Sequence, residues 1–202
     1  IYVDGVKYSF ESELLIPDDF LLIPEFLMSG SKKIKASAGF DAIAQALESL
    51  ISKKSNFKSV EYATSSLNIS LDNYVSFVLN PNLKNSAKMI LAANLAGKAI
   101  NISKTTTPHA VSYPFSSLYG LSHGHAVSLF FESFFKYNFE NLYRSDCSFN
   151  LKKRFEIIFK ILKVKNINEF NLKIFNLKKK SGLESNLKKL KINFLLNSEQ
   201  IL

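Results

Sequence analysis

The chain has 202 residues, of which 47% are hydrophobic and 21% charged, a composition that supports a buried core and excludes wholesale disorder. Its one cysteine, Cys147, excludes a scaffold held together by internal disulfides, and no uninterrupted apolar run reaches the length of about 18 residues that crosses a membrane. The net charge of +9 lies entirely in the last quarter, because residues 1–150 carry 13 basic and 13 acidic side chains whereas residues 151–202 carry 13 and 4.

Residues 1–27 differ in pattern from the rest of the chain. Residues 6–10 alternate apolar and polar side chains as a β-strand does, and residues 20–23 form a short apolar run. Two short strands need a larger sheet to pair with. We therefore interpret residues 1–27 as the β-strand tail of a preceding domain and residues 28–202 as a separate domain. The chain begins without a signal peptide, so we expect a cytoplasmic protein. It also begins without a methionine, which suggests that the given sequence starts partway through a longer protein.

From about residue 40 onward the hydrophobic periodicity is helical. A first helix has an apolar face that includes Ile43, Leu47 and Leu50. Residues 56–80 predict one or two further helices that end before Pro81. Residues 87–102 combine alanines with larger apolar side chains, which is typical of a central helix that its neighbours approach closely.

The second half of the chain continues the helical pattern. Pro108 suits the first turn of a helix, and Ser122 suits the cap of a helix that runs through Phe135. Residues 151–162 form an amphipathic helix, and shorter helices are predicted on either side of Gly182. The fold class predicted for this domain is therefore mainly α, a helical bundle.

The basic last quarter has two interpretations. Its lysines alternate with regularly spaced apolar residues, which is typical of a solvent-exposed helical face, and on that interpretation we expect neither a nucleic acid nor a membrane as partner. A surface for nucleic acid or anionic lipid is the alternative.

The chain contains three histidines, His109, His123 and His125, and they lie close together in sequence. His109 and His123 each begin a predicted helix, so their imidazoles can converge, and Asp41 lies at the start of an earlier helix. Two histidines and one carboxylate suit Fe(II) or Zn(II) with coordination positions left open. Histidines packed in the core with satisfied ring nitrogens are the alternative.

Four segments resemble the iron-containing (group III) alcohol dehydrogenases in order and spacing. They are residues 39–48 (GFDAIAQALE), 94–101 (NLAGKAIN), 108–114 (PHAVSYP) and 120–127 (GLSHGHAV). The resemblance covers the C-terminal half of that family. It implies a dehydroquinate synthase-like fold in which a helical domain holds the metal and a preceding Rossmann-like domain binds NAD or NADP. It also implies a small alcohol or aldehyde as substrate and leaves a homodimer open.

The resemblance assigns metal ligands residue by residue. The family's aspartate falls on Asp41, and its two later histidines fall on His109 and His123. The fourth ligand is usually a histidine one helical turn after the aspartate, and here that position is Gln45. An amide oxygen is a weaker ligand than an imidazole, so metal affinity or metal choice is expected to differ.

The resemblance also suggests residues that meet the substrate. Tyr113 takes the place of a histidine that often lies near the nicotinamide, and we assign it as the catalytic residue that hydrogen-bonds a substrate oxygen, with a core-packed tyrosine as the alternative. His125 is assigned to the substrate, with a buried structural role as the alternative. Lys104 and the threonines at 105–107 are candidates for an anionic substrate group at a helix start, with a capping loop as the alternative.

Two functions from different classes follow. The first is the C-terminal half of a metal-dependent, NAD(P)-linked alcohol dehydrogenase or aldehyde reductase, in which the metal polarises the substrate oxygen during hydride transfer. No Gly-x-Gly-x-x-Gly array is present, so NAD(P) is expected to bind mainly to the other domain and this chain alone is expected to be inactive. The second is a degenerate, non-catalytic helical domain kept for assembly, with Gln45 and Tyr113 as marks of lost chemistry.

Two weaker leads accompany these hypotheses. A lyase of the same fold would use a similar metal site, but the His-Gly-His-Ala segment favours the dehydrogenases. Within the dehydrogenases, the Pro-His-Ala-Val-Ser-Tyr and His-Gly-His segments resemble members that act on phosphonate or sugar-derived aldehydes.

Overall fold

The computed structural model of the chain describes residues 2–3, 6–8 and 12–193. Within these residues the strands β1 (Tyr2–Val3) and β2 (Val6–Lys7) pair antiparallel, and the rest of the regular structure is helical. The α-helices are α1 (Glu25–Met28), α2 (Lys32–Ile51), α3 (Phe57–Leu79), α4 (Leu83–Ser103), α5 (Thr107–Tyr119), α6 (His123–Ser128), α7 (Phe131–Glu140), α8 (Leu151–Leu162) and α9 (Ile167–Ser181). The prediction of a mainly α domain is confirmed.

The two strands predicted near the N-terminus have different outcomes. Val6–Lys7 is a strand, while residues 9–10 of the same prediction lie outside the described residues. The strand predicted at residues 20–23 is wrong, because these residues have no regular structure and Phe20 and Leu21 are exposed. An extended apolar run becomes a strand only where a neighbouring strand accepts its hydrogen bonds. The domain boundary after residue 27 stays a prediction.

Helix α2 lies at the centre of the domain and packs against α3, α4 and α6. It begins at Lys32, earlier than the apolar pattern predicts, because the Ser31 side chain caps it by accepting a hydrogen bond from the Ile34 N–H at 3.2 Å. Phe40 and Leu47 are fully buried. Because neighbours cover this helix on several sides, some of its polar residues, among them Ser37 and Glu48, are buried inside the domain.

Helices α3 and α4 form the layer against α2. Residues 57–79 are one helix, and both helices start with reciprocal capping contacts made by asparagines, Asn56 and Asn82. The prediction of close approach at α4 is confirmed, since Ala92, Ala96 and Ala99 have no exposed surface.

The single helix predicted from Ser122 through Phe135 is wrong, because the chain breaks it into α6 and α7. The side-chain amine of Lys178 donates a hydrogen bond to the Ser128 carbonyl at 2.9 Å. This donor takes the place of the backbone N–H that would bond the same carbonyl if the helix continued. The break turns Phe131 and Phe135, with no exposed surface, into the core, while Phe134 is half-buried.

The chain after α8 also differs from the predicted short helices. Helix α9 is continuous to Ser181 and ends at Gly182, whose φ of 85° is a left-handed conformation that suits glycine. Residues 183–193 form turns and no helix. No helix in the described part of the chain is long and apolar enough to cross a bilayer.

Candidate metal centre

Gly124 brings helices α2 and α6 into direct contact. A Cβ atom added at this glycine would lie 2.1 Å from the Ser37 carbonyl oxygen and 2.8 Å from the Asp41 Cβ. Only a glycine fits at such a distance from the backbone of a neighbouring helix. The neighbouring residue His123 is therefore held beside Asp41.

Asp41, His109 and His123 form one cluster. The Asp41 Oδ1 atom lies 3.1 Å from the His109 Nε2 atom and 3.8 Å from the His123 Nε2 atom. One ligand atom from each of the three residues lies within 4.8 Å of the others, and the two imidazole centroids are 5.2 Å apart. The structure thus brings together the three residues that the sequence predicts as metal ligands.

The chemistry and spacing of this cluster fit Fe(II) or Zn(II). An ion bound at about 2.0–2.2 Å by tetrahedral ligands holds those ligand atoms about 3.4 Å apart, and the distances of 3.1 and 3.8 Å lie on either side of that value. Two imidazole nitrogens with one carboxylate oxygen are a donor set that both metals use, with positions left for a substrate oxygen.

Gln45 lies one helical turn after Asp41 and contacts it. Its side-chain Nε2 donates a hydrogen bond to the Asp41 Oδ2 atom at 2.8 Å. The amide therefore lies beside the carboxylate of the cluster, as the i, i+4 spacing predicts. Coordination of a metal by Gln45 stays a prediction.

Glu48 is a site residue that the sequence analysis did not assign. Its carboxylate has no exposed surface, lies 2.8 Å from the His109 Nδ1 atom and accepts a hydrogen bond from the Thr106 N–H at 2.5 Å. By engaging Nδ1, it directs the other ring nitrogen of His109 toward Asp41. The sequence feature that could have identified Glu48 is its position seven residues after Asp41, on the same face of α2.

The two carboxylates determine the charge of His109. Burial removes water from the ring and opposes its protonation, but the hydrogen bonds with Asp41 and Glu48 outweigh burial and raise the pKa of His109 to about 9. The same negative environment that holds a proton on this ring favours a divalent cation in its place.

The structure separates the two residues predicted to meet substrate. The Tyr113 ring stacks on the His123 ring, with centroids 5.9 Å apart and planes 8° from parallel, and it lines the cleft beside the cluster. His125 is buried, and its Nε2 atom lies 2.7 Å from the Glu184 carbonyl oxygen. Burial, the largest influence, lowers the pKa of His125. This placement favours the structural alternative for His125, and its contact with substrate stays a prediction.

A cleft of about 1220 Å³ lies beside the cluster. Helices α2, α4 and α5 and the segment before α1 contribute its walls. The described residues that line it and belong to the predicted site are His109, His123, Gln45, Tyr113, Lys104 and Thr105.

Comparison with known proteins identifies the family of this chain. Residues 35–200 match the family described as Fe-containing alcohol dehydrogenase family, C-terminal. The chain belongs to the iron-containing alcohol dehydrogenase family. The resemblance identified from the four sequence segments is thereby confirmed.

Relatives in the iron-containing alcohol dehydrogenase family are oxidoreductases. The phosphonoacetaldehyde reductase of Streptomyces viridochromogenes is 29% identical over 135 residues, which are 65% of this chain and 34% of that protein. The 4-hydroxybutyrate dehydrogenase of Clostridium kluyveri is 27% identical over 137 residues, or 66% of this chain and 37% of that protein. The chain therefore spans about a third of the length of these relatives.

A solved structure of an NAD+-bound reductase has the same fold over most of this chain. Sulfoacetaldehyde reductase from Bifidobacterium kashiwanohense, in complex with NAD+, superposes with a TM-score of 0.76 at 28% identity. The superposition covers 88% of this chain and 46% of that one. The similarity supports the assignment of this chain to a C-terminal helical domain.

Proposed function

We propose that this chain supplies the metal centre of an NAD(P)-linked alcohol dehydrogenase or aldehyde reductase. The observation that carries the proposal is the cluster of Asp41, His109 and His123, whose ligand atoms lie within 4.8 Å of one another beside a large cleft. The relatives that the chain resembles reduce aldehydes or oxidise alcohols, as their names state. In this proposal the dinucleotide is held mainly by a preceding Rossmann-like domain.

Asp41, His109 and His123 would hold Fe(II) or Zn(II), with Gln45 beside them as a candidate fourth ligand through its amide oxygen. When bound, the metal supplies Lewis acidity toward a carbonyl or alkoxide oxygen of the substrate. Glu48 fixes the orientation of His109 through Nδ1, so that Nε2 faces the position shared with Asp41.

Tyr113 and the cleft orient the substrate in this proposal. The Tyr113 ring packs parallel to the His123 ring and restricts the rotation of that imidazole. Its hydroxyl is proposed to hydrogen-bond the reacting oxygen of the substrate. The residues of α4 that line the cleft would form one wall of the path by which a substrate reaches the cluster.

Metal retention tests the proposal. Wild-type chain is loaded with Zn(II), dialysed against buffer and compared by elemental analysis with His123→Ala. His125→Gln is the matched control, because it changes a histidine of the same helix that lies outside the cluster. We expect about one metal ion per chain in wild type and in the control, and none in His123→Ala. Equal metal content in all three proteins would mean that the side chains of the cluster pack together without binding metal. That result would favour the non-catalytic domain instead.

A further inference from the structure

The link between α4 and α5 begins with a backbone conformation that lysine rarely adopts. Lys104 ends α4 with φ 62° and ψ 172°, a region that is essentially restricted to glycine. By contrast, Lys163 has φ 55° and ψ 50°, which is the ordinary left-handed helical region. Strain of the kind seen at Lys104 persists only where surrounding contacts enforce it.

Buried serine hydroxyls enforce the conformation of Lys104 from the interior of the domain. The Ser103 Oγ atom lies 3.0 Å from the Lys104 carbonyl oxygen and 2.8 Å from the Ser49 Oγ atom of α2, and both serines are fully buried. The Ser52 hydroxyl donates to the Ser103 carbonyl oxygen. The Lys104 N–H donates to the Ile100 carbonyl oxygen at 2.8 Å. The peptide groups on both sides of Lys104 are therefore fixed to α2 and to the last turn of α4.

The start of α5 relies on contacts from outside that helix. Thr106 is its N-cap residue, but the side chain makes no capping hydrogen bond, and its Oγ1 atom is buried without a partner among the residues that the structure describes. The Thr106 N–H instead donates to the Glu48 carboxylate. Only residues 104–106 separate the end of α4 from the first residue of α5. A change of ψ at Lys104 would therefore turn α5 and carry the Thr106 N–H away from that carboxylate.

The contact between Thr106 and Glu48 reaches the metal cluster in two further steps. The other oxygen of the Glu48 carboxylate lies 2.8 Å from the His109 Nδ1 atom, and the His109 Nε2 atom lies 3.1 Å from the Asp41 Oδ1 atom. His109 is the third residue of α5, so its ring moves with the start of that helix. An unbroken series of contacts therefore runs from the buried serines to the cluster of Asp41, His109 and His123.

We propose that the hydroxyl pair of Ser49 and Ser103 is a positioning element of the metal centre. By holding Lys104 in its strained conformation, the pair directs the start of α5 toward Glu48 and the His109 ring toward the cluster. The inference rests on the proposed function, because that function assigns a metal to the cluster. Glycine at position 104 would adopt the same conformation without help from the serines, so the pair should matter only while residue 104 bears a side chain.

Zinc affinity in a set of variants tests the positioning role. Competition with a chromophoric chelator compares wild type with Ser103→Ala, Ser103→Ala/Lys104→Gly and Ser103→Ala/Lys104→Ala. We expect Ser103→Ala to bind Zn(II) about tenfold more weakly than wild type, because the orientation of a metal ligand is lost. The glycine double variant should return to within about twofold of wild type, whereas the alanine double variant should stay weak, since alanine disfavours the conformation as lysine does.

Ser66→Ala separates positioning from a loss of stability. The Ser66 hydroxyl is fully buried and donates to the Ala92 carbonyl oxygen of α4 at 2.8 Å, so this variant also removes a buried hydrogen bond to α4, but outside the series of contacts. We expect it to lower the melting temperature as Ser103→Ala does and to bind Zn(II) as wild type does. Ser49→Ala leaves the Ser103 hydroxyl in place and should weaken zinc binding less, so it tests the same pair if Ser103→Ala does not fold.

Hydrogen exchange of the metal-free chain keeps this inference distinct from the proposed function. The Thr106 amide should exchange about tenfold faster in Ser103→Ala than in wild type, because its bond to Glu48 is weakened, and it should regain protection in Ser103→Ala/Lys104→Gly. A wild-type chain that binds no Zn(II) would overturn the proposed function, while the exchange of this amide would still test the role of the serines.

Two outcomes would overturn the inference. Equal zinc affinity and equal Thr106 exchange in Ser103→Ala and Ser66→Ala would show that the serine pair only stabilises the fold. Equal zinc affinity of the two double variants would show that the strained backbone at position 104 does not connect the serines to the metal centre.

Discussion

The Glu48 carboxylate lies 2.8 Å from the His109 Nδ1 atom, across 61 positions of sequence. The same carboxylate accepts the Thr106 N–H at the start of α5, so one buried acid of α2 fixes both the helix that carries His109 and the direction of its ring. The packing of the domain and the geometry of the candidate metal centre therefore depend on the same contact.

Replacing Glu48 should weaken metal binding without unfolding the domain. Glu48→Gln keeps the size of the side chain but removes its charge, and we expect Zn(II) affinity to fall about 10- to 100-fold because His109 is no longer oriented by a carboxylate. Competition with a chromophoric chelator measures the affinity. Glu61→Gln, which changes an exposed acid paired with Lys58, is the control and should bind like wild type. Unchanged affinity in Glu48→Gln would argue against its positioning role.

Gln45→His should bind Zn(II) or Fe(II) more tightly than wild type. The side chain lies one turn after Asp41 and already contacts its carboxylate, so an imidazole there adds a nitrogen ligand near the same point. The chelator competition measures this gain. A chain whose site has lost its function would show no gain, because restoring one ligand cannot correct the others. Weaker binding would contradict the placement of position 45 at the metal.

Gly124→Ala should destabilise the domain and release metal. The added methyl group would lie 2.1 Å from the Ser37 carbonyl oxygen, so α6 must move away from α2. We expect a loss of about 1–3 kcal/mol or more in the free energy of unfolding, measured by denaturant titration. Gly97→Ala is the matched control, since a Cβ at Gly97 meets no atom within 4 Å, and alanine is expected to stabilise α4 by about 0.5–1 kcal/mol. Equal stability of the two variants would contradict the close approach.

The pair formed by Lys178 and Glu132 should contribute strongly to stability. The lysine side chain is 3% exposed, lies 2.7 Å from the carboxylate and also donates to the Ser128 carbonyl. Lys178→Met leaves both acceptors without their donor, and we expect a loss of about 3–5 kcal/mol in the free energy of unfolding. Lys136→Met breaks an exposed pair and should cost less than about 1 kcal/mol. Losses of the same size would contradict the importance of burial.

Sequence patterns predicted much of the fold because helical periodicity and caps are local. The position of α8 and the ending of α3 before Pro81 follow from neighbouring residues alone. The break between α6 and α7 does not, because it depends on Lys178, 50 residues away from Ser128. Short apolar runs such as residues 20–23 likewise depend on a partner strand that local sequence does not specify.

The candidate site was also predictable only in part. Asp41 and the two histidines were found because His109 and His123 lie close together in sequence at predicted helix starts and because the surrounding segments resemble a known family, and the structure brings the three residues together. Glu48 was missed because its partner is distant in sequence. The direction of His125 was also beyond prediction, since the Glu184 carbonyl that it contacts belongs to a turn after α9.

An X-ray absorption spectrum at the zinc edge of the Zn(II)-loaded chain tests the central claim most directly, because it reports the atoms bound to the metal. The account predicts two imidazoles at about 2.0–2.1 Å together with oxygen ligands, and the loss of one imidazole in His123→Ala. A spectrum with no imidazole contribution, or with a sulfur ligand at about 2.3 Å from Cys147, would contradict it.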